Sequence, residues 1–159
     1  MSEVKPEEII NNMDKYNNYK TQMGRLKRAI SSQFYLEALF IEYAIIEDRA
    51  EAILLYENNS IKEKEGHPVS INRKLNKILS IAGEQNSLAG KYIDPAVVNE
   101  ILEWKENRNE LIHALMKKKL TTEEIYAIVS KGEELTKKFS NMATNYRRAV
   151  ERKNKKNNK

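Results

Sequence analysis

The sequence contains no cysteine among its 159 residues and only two histidines. It therefore has no disulfide framework, no thiolate metal site and no cysteine nucleophile, and two histidines in separate segments predict no metal site. No stretch approaches the roughly 18 uncharged apolar residues of a membrane-spanning helix. The chain opens MSEVKPEEII, with acids where a secretory leader carries a basic region and an apolar run. We expect a cytoplasmic protein with no membrane association and no cofactor.

Glycine and proline are scarce, at five and three residues, and they fall in clusters that divide the chain into helical segments. The predicted fold class is all-α, an antiparallel bundle of four to five helices in a single domain over residues 1–150. Asp94 before Pro95 predicts one helix start, and Thr121 with Glu124 predicts a capping box at another. The predicted helices run from about Pro6 to Met23, ended by Gly24, and then over 25–58, 71–82, 95–118 and 121–150, with loops at 60–70 and 90–94.

Positive charge is concentrated at one end of the chain, although the formal net charge of the whole is +5. Residues 147–159 hold seven of the 28 lysines and arginines and one of the 23 acids, so the rest of the chain is slightly acidic. Residues 151–159 predict a basic disordered tail. Such a tail would attract RNA without regard to its sequence, and the net charge is therefore no argument for nucleic acid on the folded body.

Two apolar stripes are each interrupted by one charged residue. In the helix predicted over 95–118, steps of four and three residues give one arginine among apolar side chains: Val97, Ile101, Trp104, Arg108, Leu111 and Leu115. In the long helix predicted over 25–58, the same steps select Asp48. Burying an unpaired charge costs several kcal/mol, so we expect Arg108 to pair with Asp48 or with its neighbour Glu47. A structural ion pair that fixes helix register is one interpretation.

The residues after Arg108 read RNELIH and end on His113. Asn109 and His113 are four residues apart and share a helix face, so the amide can hydrogen-bond the imidazole and fix its tautomer. Arg108 and His113 lie about 140° apart around the helix and would flank a groove that suits a phosphate. A cation beside a phosphodiester, together with a base that titrates near neutral pH, is what internal transesterification of RNA requires.

The segment Arg108-Asn109-x-x-x-His113, late in a helical bundle of this size, resembles the signature of HEPN-domain ribonucleases. The resemblance implies a metal-independent endoribonuclease that works as a homodimer, with Arg108, Asn109 and His113 as catalytic residues facing a second copy of the motif. It also implies a supporting acid on the second helix, where Asp48 and Glu47 stand, and a role in toxin–antitoxin pairs or abortive infection as antiviral defence. An antitoxin or other regulatory partner would then be expected. Some such toxins carry a tyrosine two residues after the histidine as the acceptor of adenylylation, and this chain has Leu115 there.

Three consecutive lysines, Lys117, Lys118 and Lys119, follow the motif. They could bind the RNA backbone on either side of the scissile phosphate, or they could simply complement the negative end of the helix dipole. His67 lies in a polar segment before a proline, where a solvated loop residue is the ordinary interpretation.

An alternative function needs no catalysis. The bundle would be a non-catalytic module of a defence operon that binds RNA or a partner protein, with Arg108 and Asp48 forming a structural lock. The two hypotheses differ in what they predict for His113, which matters only to the enzyme.

Overall fold

The computed structural model describes residues 12–56 and 69–159, which form six α-helices and, within those ranges, no β-strand. The predicted all-α helical bundle is confirmed. None of the helices in these two ranges is long and apolar enough to cross a membrane. The helices are α1 (Asn12–Ser31), α2 (Tyr35–Tyr56), α3 (Ile71–Ala82), α4 (Leu88–Tyr92), α5 (Pro95–Ala114) and α6 (Thr122–Asn157).

The core is organised around α2, which packs along α6 and also contacts α1 and α3. Helix α5 packs against α6 and α3, and the short α4 fills the space between α3 and α6. The side chains of Ile46, Ala50 and Ile53 on α2 are fully buried, as are Leu135 and Phe139 on α6. Burying apolar surface from several sides of α2 makes this helix the centre of the bundle.

The first helix does not end at Gly24, as the sequence suggested, but continues through it to Ser31. The stop comes at Gln33, whose φ of 60° is left-handed. The backbone N–H of Phe34 donates to the carbonyl of Ala29, and that of Gln33 donates to Ile30, which is the hydrogen-bond pattern of a Schellman turn. Glycine is the usual residue at such a position, so a glutamine there gives no sequence signal for the end of the helix.

Helix starts were predicted more accurately. Asp94 accepts a hydrogen bond from the backbone of Ala96, with Pro95 in the first helical position, and Thr121 forms the complete capping box with Glu124. The segment at 90–94, predicted as loop, instead lies largely within α4. There Gly90 permits a close approach, because a Cβ on it would lie 2.9 Å from the Ala82 carbonyl oxygen.

Two helix ends differ from prediction. Helix α5 ends at Ala114, not near Lys118, and the chain turns back toward the Thr121 cap. Helix α6 continues through the predicted disordered tail to Asn157, because the tail holds helix-forming Lys and Arg without glycine or proline. Lysines in its last turn also complement the helix dipole. The predicted start near Pro6, the stop after residue 58, most of the loop at 60–70 and His67 lie outside the described residues.

Candidate functional site

Arg108 points from α5 toward α2, and only 8% of it is exposed. Its guanidinium carbon lies 4.4 Å from the centre of the Tyr43 ring and 5.7 Å from that of Phe40. Its Nη1 donates a 3.2 Å hydrogen bond to Oδ1 of Asn109, while Nε is buried without a hydrogen-bond partner in residues 12–56 and 69–159. The two rings attract the cation through their π faces and fix its position.

Glu42 is the carboxyl group that acts on the pKa of Arg108. It is not among the site residues predicted from the sequence. Glu42 is fully buried, and neither of its carboxyl oxygens has a hydrogen-bond partner among the described residues. Its pKa is raised from 4.5 to about 9, mainly by burial, with Glu133 adding to the rise and Arg108 opposing it. Because its pKa lies well above 7, Glu42 is protonated and neutral at physiological pH.

The Glu42 carboxyl occupies space that exists only because residue 132 of α6 is a glycine. A Cβ on Gly132 would lie 2.1 Å from Glu42 Oε2 and 2.8 Å from Cε2 of Trp104. The indole is fixed in turn by a 2.9 Å hydrogen bond from its Nε1 to the carbonyl oxygen of Ile128. Helices α2, α5 and α6 therefore meet at this point with no room for a methyl group.

Among the described residues, Arg108 has no carboxylate partner for its charge. Burial lowers its pKa, and Tyr43 and then Glu42 act in the opposite direction. An arginine still keeps its charge at neutral pH. Burial likewise raises the pKa of Tyr43, with Glu47 adding to the rise and Arg108 opposing it.

The predicted pairing of Arg108 with Asp48 or Glu47 is wrong. Asp48 accepts a 2.8 Å hydrogen bond from its neighbour Arg49 and lies 3.9 Å from Lys15. Glu47 accepts a 3.3 Å hydrogen bond from Lys74 on α3. The reason is the rotation of α2 about its own axis. The Asp48 side chain is 45% exposed, whereas the most deeply buried face of α2 carries residues that are at most 1% exposed: Leu39, Glu42, Ile46, Ala50 and Ile53.

His113 lies one and a half turns after Arg108 on α5 and is exposed. The predicted hydrogen bond between Asn109 and His113 does not form, because the amide oxygen of Asn109 accepts from Arg108 instead. Asn109 therefore positions the guanidinium and not the imidazole. The structure joins Arg108 and Asn109 by a hydrogen bond and shows none from either of them to His113.

Exposed lysines and exposed apolar side chains lie near the segment from Arg108 to His113 or follow it in the chain. Lys117, Lys118 and Lys119 follow the end of the helix and are exposed, and the first two donate backbone hydrogen bonds to the carbonyl oxygen of Ala114. Phe40, whose ring faces Arg108, is 68% exposed, and Met116 is 96% exposed. Across the described ranges, no three His, Asp or Glu side chains lie close enough together to hold a metal ion.

Comparison of this chain with protein-family models, with curated proteins and with solved structures finds no match.

Proposed function

We propose that the protein is a metal-independent endoribonuclease that cleaves RNA through attack of the ribose 2′-hydroxyl on the adjacent phosphorus. The observation that carries the proposal is the state of Arg108, which is largely buried and has no carboxylate partner among the described residues. A buried charge left without a counter-ion costs several kcal/mol, and perturbed ionisable groups of this kind cluster at functional sites. Neutral Glu42 leaves the positive charge available to a phosphate.

The roles follow from the chemistry of the step. His113 removes the proton from the 2′-hydroxyl, whose oxygen forms a new bond to phosphorus as the bond to the 5′-oxygen breaks. Arg108, held by Tyr43 and Asn109, stabilises the phosphorane charge. The His113 of a second copy gives a proton to the leaving 5′-oxygen. The products are a 2′,3′-cyclic phosphate and a 5′-hydroxyl.

A homodimer supplies that second histidine. Leu36, Phe40 and Met116 are 46%, 68% and 96% exposed, so apolar surface is available close to the arginine and just after the histidine in the chain. A second copy that covers this surface would bring the two α5 ends together.

The role we propose for such a nuclease is in defence or in a toxin–antitoxin pair. Its regulatory partner would not act by adenylylation of a tyrosine two residues after the histidine, since residue 115 is leucine.

The test is cleavage of an RNA pool by purified protein in EDTA, with the end groups of the products identified. We expect 2′,3′-cyclic phosphate ends, and we expect His113→Ala and Arg108→Ala each to slow cleavage by about a hundredfold or more. His67→Ala and Arg73→Ala are the matched controls, because they change the other histidine and an exposed arginine of α3. Cleavage by His113→Ala at the parental rate would refute the mechanism.

A buried Arg108 with no carboxylate partner among the described residues also fits the alternative function, a non-catalytic module that binds RNA or a protein. In that case the rings of Tyr43 and Phe40 hold Arg108 for stability alone. Under this alternative, Arg108→Ala lowers the melting temperature, His113→Ala changes neither stability nor binding, and no RNA is cut. Thermal melts of the two variants beside the cleavage assay separate the two functions.

A further inference from the structure

A second candidate site is a cleft of about 410 Å³ between α1, α2 and α6, lined by both polar and apolar side chains. It lies at a different place from Arg108, because Ala52 in its wall is nine residues beyond Tyr43, or about 14 Å along α2 at 1.5 Å per residue. The part of its lining that the structure describes contains no carboxylate. It contains four cations from three helices: Lys15, Arg49, Arg147 and Arg148.

The cations of this cleft are only partly satisfied. Arg49 donates from Nη2 to Asp48, but its Nε is buried without a hydrogen-bond partner in the described parts of the chain. Within the same ranges the Nε of Arg147 is also buried without one, and it lies 3.8 Å from a carboxylate oxygen of Glu151. Ser140, a residue only 4% exposed, lines the same cleft, and its hydroxyl has no partner among the residues that the structure describes.

Buried donors without partners are costly, and in native proteins they usually meet water, an ion or a ligand. A ligand that bound the arginines lining the cleft would need several acceptor oxygens and a negative charge. Phosphate meets both requirements, and the fork of N–H groups on arginine matches its oxygens.

Aromatic rings border the same cleft. Tyr16 is 57% exposed, Tyr56 is half-buried, and the ring of Tyr19 lies under the Arg49 guanidinium at 5.1 Å. Tyrosine rings beside arginines form the usual surface on which a nucleic-acid base stacks. The cleft volume is also within the ordinary range for a small-molecule site.

We propose that this cleft binds a nucleotide, with the phosphate held by Arg49, Arg147 and Arg148 and the base stacked on the tyrosines of α1. The site shares no residue with Arg108 or His113, so it stands independently of the ribonuclease proposal. Its ligand is either a free mononucleotide or one unit of a single-stranded nucleic acid, since both present the same phosphate and base.

The test is calorimetric titration with adenosine 5′-monophosphate, inorganic phosphate and adenosine. We expect the monophosphate to bind about tenfold or more tightly than either fragment, because only the monophosphate makes both kinds of contact. The variant Arg147→Gln/Arg148→Gln should lose about tenfold or more in affinity for it. If that double variant melts early, Arg148→Gln alone, at an exposed position, gives the same readout.

The matched control is Lys155→Gln/Lys156→Gln, which removes the same charge from the exposed end of the same helix. We expect it to bind the monophosphate as the parent does. If the lysine variant loses as much affinity as the arginine variant, the binding is diffuse attraction to a basic helix and the proposal is wrong. Failure of the monophosphate to bind at all also overturns it.

A 2′-O-methyl RNA hexamer distinguishes the two sources of ligand, because it cannot be cut by its own 2′-oxygens. A hexamer that binds more tightly than the monophosphate, and weakens in Arg147→Gln/Arg148→Gln, identifies a strand of nucleic acid as the ligand. Equal or weaker binding of the hexamer identifies the free mononucleotide.

Discussion

The substitution Gly132→Ala adds one methyl group to α6 at the point where that helix passes Glu42 and Trp104. Two effects of opposite sign then compete. Alanine is a better helix former than glycine by about 1 kcal/mol, which favours the variant. The new Cβ, however, would lie 2.1 Å from the Glu42 carboxyl and 2.8 Å from the indole of Trp104, both of which are buried.

Overpacking of this kind costs about 1 to 3 kcal/mol, and a 2.1 Å approach belongs at the upper end of that range. The indole cannot move away without losing its hydrogen bond to Ile128, and the carboxyl is fully buried. We therefore expect Gly132→Ala to lower the free energy of unfolding by about 2 kcal/mol after the gain in helix propensity. For a chain of this length that corresponds to a fall of roughly 4 to 8 °C in melting temperature.

Gly24→Ala is the matched control. Gly24 is also a glycine inside a helix, but a Cβ there would meet only Arg28 Nη1, at 3.5 Å, which is an ordinary contact. We expect this variant to gain about 1 kcal/mol. Urea unfolding of the two variants beside the parent measures both changes. If Gly132→Ala is stabilised to the same extent as Gly24→Ala, the close packing of Glu42 against α6 is refuted.

Two further predictions concern charge and capping. The pKa of Glu42 is about 9 in the folded protein and 4.5 in the unfolded chain, so between these values the unfolded state holds fewer protons. The contribution of Glu42 to the free energy of unfolding should thus be greatest below pH 4.5 and fall by up to about 1.4 kcal/mol per pH unit from there to pH 9. Urea melts across that range should show this slope as the difference between the parent and Glu42→Gln. At the start of α6, Thr121→Ala should cost about 1 kcal/mol, whereas Glu124→Gln should cost little because glutamine also completes a capping box. Equal losses in these two variants would contradict the role of the threonine.

Helix starts could be predicted from the sequence because they depend on local chemistry. Asp94 and Thr121 cap their helices through hydrogen bonds to residues two and three positions along the chain, and such spacings are visible in the sequence. The end of α1 could not be predicted, since it depends on a left-handed Gln33 and on tertiary packing that carries the helix past Gly24. The α6 extension was missed because a run of lysines resembles a solvated tail as much as a helix end.

Arg108 was found because its charge falls on an apolar stripe, and its burial bears out that reasoning. Its acidic neighbour was misidentified because α2 carries apolar residues on more than one face. Asp48 and Glu42 each interrupt an apolar series on that helix, and only the rotation of α2 against α6 decides which one is buried. Gly132, which leaves the room that Glu42 occupies, lies 90 residues further along the chain, and a search limited to periodicity within one helix does not detect it.

Helix α1 is anchored mainly at its C-terminal end, where Leu26 and Ala29 are buried against the rest of the bundle. Its earlier residues are mostly exposed, and they include Lys15, Tyr16 and Tyr19, which line the cleft between α1, α2 and α6. Local unfolding of this half exposes little apolar surface and therefore requires little free energy. A ligand of the cleft would thus stabilise the helical form of a segment that belongs to its own binding site. Amide hydrogen exchange over 13–22 would slow when the ligand binds.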